Sequence, residues 1–161
     1  TIHNQMNQNS YLNFQLIVYD FDGVMTNNKV YLNEEGLESV RVNRADGLGI
    51  SELKKMNVSQ IILSSEKNKI VKTRAKKLGL DCLNGIDNKK VTLLDHCKRN
   101  KINVKDVAYI GNDINDLEVM EMVGYKYCPS DSHQSIKKIS DHIFTAKGRD
   151  GVIREFLDFI K

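Results

Sequence analysis

Apolar runs without polar alternation recur along the chain, separated by stretches whose apolar residues return every three to four positions. Leu16-Ile17-Val18-Tyr19, Gln60-Ile61-Ile62-Leu63 and Val107-Ala108-Tyr109-Ile110 are short and almost wholly apolar, as strands buried on both faces are. Asp81-Cys82-Leu83 predicts a shorter strand. Lys126-Tyr127-Cys128 and His142-Ile143-Phe144 predict outer strands. Between them the helical period predicts helices over 46–55, with Asp46 as N-cap, and over 68–78, stopped by Gly79. Further helices are predicted over 88–100, from Asp113 to Val123, over 132–139 and over 150–160. The last carries Val152, Ile153, Phe156, Leu157 and Ile160 on one face, which docks on the core. Residues 29–32 and 39–42 flank Asn33-Glu34-Glu35-Gly36 and predict a β-hairpin.

Strands alternating with helices imply an α/β fold: a three-layer, Rossmann-like parallel sheet with helices on both faces and right-handed crossovers. The 161 residues suit one domain, able to bury roughly 70% of the unfolded surface. We place it at 14–161 and read the Asn- and Gln-rich stretch 1–13 as a flexible tail. There is no repeat, linker or second domain, and only the small hairpin follows the first strand, so no cap domain covers that edge.

A net charge of +3, scattered lysines and few aromatics argue against a nucleic-acid partner. No apolar run approaches the roughly 20 residues of a membrane span. Cys82, Cys97 and Cys128 are odd in number and lack CxxC spacing, which fits reduced thiols in a cytoplasmic protein.

The informative chemistry follows the first strand. Asp20 and Asp22 leave its carboxyl end and Gly23 turns the chain, at the edge where open α/β sheets bind ligands. Two adjacent acids repel, and a divalent cation or a shared proton relieves them. The same edge receives Ser64 from the second strand, Lys89 at a helix start, and Asn112, Asp113 and Asp116 after Val107–Ile110. Each type has a role in phosphoryl transfer. A carboxylate can attack phosphorus, and a second, two residues on, can protonate the leaving oxygen and later activate water. Hydroxyl and ammonium groups hold phosphate oxygens, and a hard cation offsets the repulsion between two anions.

Five segments carry a resemblance across nearly all of residues 14–160. They are Asp20-Phe21-Asp22-Gly23-Val24, the run from Asn43 to Ile50, Gly85-Ile86-Asp87-Asn88-Lys89, the run from Gly111 to Asp116, and Lys147-Gly148-Arg149-Asp150-Gly151. In type and order they resemble the haloacid dehalogenase superfamily. Within it they are similar to the capless subgroup of 3-deoxy-manno-octulosonate 8-phosphate and nonulosonate 9-phosphate phosphatases. That subgroup also includes the C-terminal domain of many acylneuraminate cytidylyltransferases. The resemblance implies Asp20 as nucleophile, Asp22 as general acid/base, Ser64 and Lys89 on the phosphoryl group, and Glu66, Arg74 and Lys77 on the sugar acid. It implies Mg2+ held by Asp20, Asp22 and Asn112 or Asp113, with Asp116 in support. It further implies a homotetramer whose hairpins form a shared barrel, and Lys147 to Arg149 reaching a neighbouring subunit.

Two positions depart from the subgroup. Asn112 stands where the phosphatases carry Asp, and Ala45 where octulosonate phosphatases carry Arg, with Arg44 beside it. The Gly-Asn-Asp form resembles the domain appended to cytidylyltransferases, so the alternative to a phosphatase is an oligomerisation element supporting such an enzyme. A phospho-accepting receiver domain fits less well, because its acceptor Asp lies on a middle strand, whereas 60–63 ends in Ser64.

Overall fold

The computed structural model describes residues 13–161; nearly all of the expected tail lies outside the described residues. Six strands form one parallel sheet in the order β5-β4-β1-β6-β7-β8. They are β1 Leu16–Tyr19, β4 Ser59–Leu63, β5 Asp81–Leu83, β6 Val107–Ile110, β7 Tyr125–Cys128 and β8 His142–Ile143. β1 is central, pairing with β4 from Leu16↔Ser59 and with β6 from Leu16↔Val107. The chain winds outward on both sides of β1, so the crevice past its carboxyl end is the topological switch point.

Strand side chains alternate between two cores. Ile17, Tyr19, Ile62, Ala108 and Ile110 face α1 (Arg44–Lys55), α2 (Ile70–Leu78) and α6 (Val152–Ile160). Leu16, Val18, Ile61, Leu63, Val107 and Tyr109 face α3 (Lys89–Arg99), α4 (Leu117–Met122) and α5 (Gln134–Ile139). Both faces being covered explains why these strands read as continuous apolar runs.

The boundaries differ from expectation where an Asx residue or an exposed strand decides them. α1 begins two residues early because Asn43, not Asp46, is its N-cap: Asn43 Oδ1 accepts from Ala45 N at 2.8 Å. The hairpin strands shrink to β2 Tyr31–Leu32 and β3 Glu38–Ser39. Of the remaining expected residues, Lys29, Val30, Arg41 and Val42 are exposed and Val40 packs against the core instead of pairing. The segment after Asp113 opens as a 3-10 turn, Ile114–Asp116, before α4.

Asp46, freed from capping, is buried in the first turn of α1. Its Oδ1 accepts from Ile153 N at 3.1 Å, at the start of α6, and Oδ2 has no partner. Gly49 brings α1 close, since a Cβ there would lie 3.3 Å from the Arg154 backbone. Burial pushes the Asp46 carboxyl from 3.8 up to about 7, against smaller pulls from the Ile153 amide and the nearby Arg74 guanidinium. The folded protein therefore keeps a proton that the unfolded chain releases above pH 4, so stability falls as pH rises from about 4 to 7. The effect is at most about 4 kcal/mol. Asp46→Asn keeps the acceptor and removes the charge. Urea unfolding at pH 5 and pH 8 should show a clear loss in the native chain and a flattened difference in the variant; equal slopes would contradict this.

Candidate active site

Asp20 continues the line of β1: its N donates to Ile110 O at 3.0 Å, and its Oδ1 accepts from Phe21 N at 2.8 Å. The chain then turns tightly, with the Val24, Met25 and Thr26 amides all directed at Phe21 O, while Thr26 Oγ1 accepts from Gly23 N and Asn28 N. Gly23 has φ +85°, and a Cβ there would stand 1.8 Å from the near end of the Asn112 carboxamide. The glycine is thus needed twice, for the left-handed turn and for the approach of Asn112.

Beneath the acids lies a buried charge cluster. Lys89 Nζ is 3.0 Å from Asp20 Oδ1 and 2.8 Å from Asp116 Oδ1. Asp116 also accepts from Tyr109 Oη at 2.6 Å and from the Asn112 amide at 2.9 Å. Burial alone would raise the Asp116 carboxyl, but the Lys89 ammonium and these donors hold it below the ordinary range. Asp20 goes the other way: burial, then the Asp116 charge, push it well up despite Lys89. For Lys89 the two carboxylates outweigh burial, and it stays charged. Asp22 is half-buried, and desolvation followed by the Glu66 charge raises its carboxyl, which favours the protonated form that a general acid needs.

Above this floor opens a cleft of about 440 Å³ lined by Asp20, Asp22, Asn28, Ser64, Ser65, Glu66, Asn112, Asp113 and Asn115. Ser64 Oγ accepts from Glu66 N at 3.1 Å, which aims the loop after β4 at the acids. Asp113 Oδ1 accepts from Ile114 N at 2.7 Å, so this carboxylate is occupied as a helix cap. Lys89 and Asp116 sit under the cleft. Arg74 and Lys77 do not line it: the Arg74 guanidinium donates to Asn43 O at 3.1 Å, and Lys77 is exposed on α2. A second cavity of about 470 Å³ lies at the opposite edge of the sheet, around Gln60, Asp81 and His96. It holds no paired acids and no buried cation.

Sequence reasoning missed four groups here. Ser65, Asn28 and Asn115 line the cleft, and Asn115 Nδ2 donates to Ser65 Oγ at 3.3 Å. Ser65 and Asn115 sit inside polar runs that already supplied candidates, so the signal was adjacency. Tyr109 had none, because an aromatic within an apolar strand reads as core.

The family follows from comparison. Residues 26–156 match the model of the haloacid dehalogenase-like hydrolases. The chain is 32% identical over 149 residues to 3-deoxy-D-manno-octulosonate 8-phosphate phosphatase KdsC of Salmonella typhi, covering 92% of this chain and 79% of that one. The chain belongs to the haloacid dehalogenase-like hydrolases. Among solved structures, the Moraxella catarrhalis 3-deoxy-D-manno-octulosonate 8-phosphate phosphatase bound to magnesium, phosphate and KDO superposes with TM-score 0.91. It is 28% identical, over 97% of this chain and 90% of that one. The cobalt-bound Haemophilus influenzae enzyme gives 0.88 at 27% identity, over 94% and 89%. As a haloacid dehalogenase-like hydrolase of this phosphatase group, the chain is a phosphoric monoester hydrolase, and magnesium is the ion that the Moraxella catarrhalis enzyme holds.

The donor set fits that ion. The outer atom of the Asn112 carboxamide that faces the acids lies 2.8 Å from Asp20 Oδ2 and 2.9 Å from Asp22 O. If that atom is oxygen, three acceptors converge with no hydrogen between them. Adjacent ligands of an octahedral ion at 2.0–2.1 Å stand about 2.9 Å apart. Asp20, the Asp22 carbonyl and Asn112 are the residues that would hold it. Among the described residues, no group of three His, Cys, Asp or Glu side chains gathers as a metal site; this donor set is mixed, with one carboxylate, one carbonyl and one carboxamide. Bound there, Mg2+ supplies positive charge that favours ionised Asp20 and offsets its repulsion of a phosphate dianion.

Proposed function

We propose that the chain hydrolyses the phosphate ester of a phosphorylated 3-deoxy-2-keto sugar acid, an octulosonate 8-phosphate or a nonulosonate 9-phosphate, in a Mg2+-dependent reaction. The carrying observation is the stacking of Asp20 against buried Lys89, with half-buried Asp22 two residues on. Asp20 attacks phosphorus and forms an aspartyl-phosphate. Asp22 gives its proton to the leaving oxygen, then takes one from the water that hydrolyses the intermediate. Lys89 and Ser64 bind the phosphoryl oxygens. The 32% identity to an octulosonate 8-phosphate phosphatase supports the substrate class.

Residues 14–161 act as one domain in this reading, and copies of it assemble as a homotetramer. Two observations support assembly. The hairpin exposes Val30, Tyr31, Leu32 and Leu37, each at 49–67%, large apolar side chains of the kind that an interface covers. The cleft also offers a substrate carboxylate no cation of its own beyond buried Lys89. Lys29, Lys147 and Arg149 line a separate cavity together with Asp131 and Asp150; in this reading the cations serve another subunit. Glu66 contacts the sugar acid, whereas Arg74 and Lys77 would reach it only if α2 of one copy met the cleft of another.

Asn112 favours a second reading, in which the domain is catalytically weak and supports an acylneuraminate cytidylyltransferase. Phosphate release from a panel of sugar phosphates, with Mg2+ or with EDTA, separates the two. Mg2+-dependent turnover preferring a keto-acid 8- or 9-phosphate is the expected result. No turnover on any member, from folded protein at saturating Mg2+, would leave the assembly role.

A further inference from the structure

Asn112 is only 7% exposed, and its carboxamide has two ways to meet the acids that suit different states of the site. With its oxygen inward, three acceptors converge. With its nitrogen inward, the same positions make two hydrogen bonds, Nδ2 to Asp20 Oδ2 at 2.8 Å and to Asp22 O at 2.9 Å. Carboxamide oxygen and nitrogen are nearly the same size, and the terminal torsion of Asn is broad and two-fold. A half-turn therefore exchanges the two arrangements without moving the backbone or the Gly23 contact.

We infer that the Asn112 carboxamide is a metal-gated rotor: nitrogen inward when the site holds no cation, oxygen inward when Mg2+ binds. The inference rests on the Mg2+ reading of the site, not on the substrate. A carboxylate at this position has no donor, so a metal-free site with Asp at 112 would bring an anion against Asp20 Oδ2 and the Asp22 carbonyl, a buried like-charge contact. The amide satisfies both acceptors instead. Metal-free protein is thereby stabilised, and Mg2+ must displace two hydrogen bonds to enter. The site is tuned toward weaker, readily reversible metal binding and an intact fold without metal.

Asn112→Asp tests this in the full chain with Mg2+ alone as probe. In EDTA the variant should melt several degrees below the native protein. Calorimetry should show Mg2+ binding the variant at least about tenfold more tightly, because a carboxylate ligand replaces a carboxamide and the hydrogen bonds to Asp20 and the Asp22 carbonyl are no longer lost. Saturating Mg2+ should then raise the melting temperature more in the variant than in the native chain. Equal or higher stability of the variant in EDTA, or unchanged Mg2+ affinity, would overturn the rotor. No Mg2+ binding by either protein would instead overturn the metal reading beneath it. Should the variant not fold, native protein labelled with 15N decides: the Asn112 side-chain amide pair should be protected from solvent exchange in EDTA and move on Mg2+ saturation. A pair that does neither overturns the proposal.

Discussion

Asp20→Asn is expected to abolish phosphate release, by about 10⁴-fold or more, while the protein melts at the same temperature as the native chain or above it. The two halves have one cause. Asp20 shares a single buried ammonium with Asp116, at 3.0 and 2.8 Å, so the cluster holds two carboxylates for one cation. Burial and the Asp116 charge already hold the Asp20 carboxyl well up, which means that its ionised form is strained in the metal-free fold. Asn removes that penalty, keeps an acceptor for Phe21 N, and leaves Lys89 and Asp116 as a balanced pair. It also removes the atom that attacks phosphorus and the one anionic ligand of the metal site. Turnover and thermal melting in EDTA, on the same preparation, check both halves. Residual turnover within tenfold of native would sink Asp20 as nucleophile. A large fall in melting temperature would show that its charge is needed by the fold.

What could be read in the sequence was set by how local the deciding interaction is. The three strong strands were legible because burial on both faces leaves an uninterrupted apolar run, and the ends of those strands are where Asp20, Ser64 and Asn112 meet. Gly79 ends α2 in the left-handed conformation, at φ +68°, a purely local requirement. Asn43 was legible in principle: it stands three residues before Asp46, the spacing of a cap and a third-position acid. Both being Asx residues, the choice between them turned on Asp46 meeting α6, a partner 107 positions away. Arg74 went the same way. Its helix face reads as a solvated, lysine-rich surface or a substrate contact, and the structure gives it Asn43 O instead. Asn112 reads as a defect in a carboxylate site until its two distances to Asp20 and Asp22 are known.

Lys89→Met should be the most damaging single change to stability, about 3–5 kcal/mol, or roughly 10 °C in melting temperature for a chain of this size. The Lys89 side chain is only 2% exposed and, among the described residues, is the one cation paired with both Asp20 and Asp116. Met fills the space and leaves two buried carboxyls facing each other. One of them must then keep its proton, which the folded variant can do only at a rising cost above the ordinary carboxylate range. Its deficit against native should accordingly be smaller at pH 5 than at pH 8. The double variant Lys89→Met, Asp20→Asn separates charge from packing. Removing the second carboxylate should restore much of the lost stability, because a single buried acid held by Tyr109 and the Asn112 amide is easier to accommodate than two. Urea unfolding of the native protein, the single variants and the double variant, at both pH values, measures the coupling directly. Additive losses would mean that Lys89 matters through its packed methylenes, and the charge cluster beneath the cleft would lose its standing as the element that holds Asp20 in place.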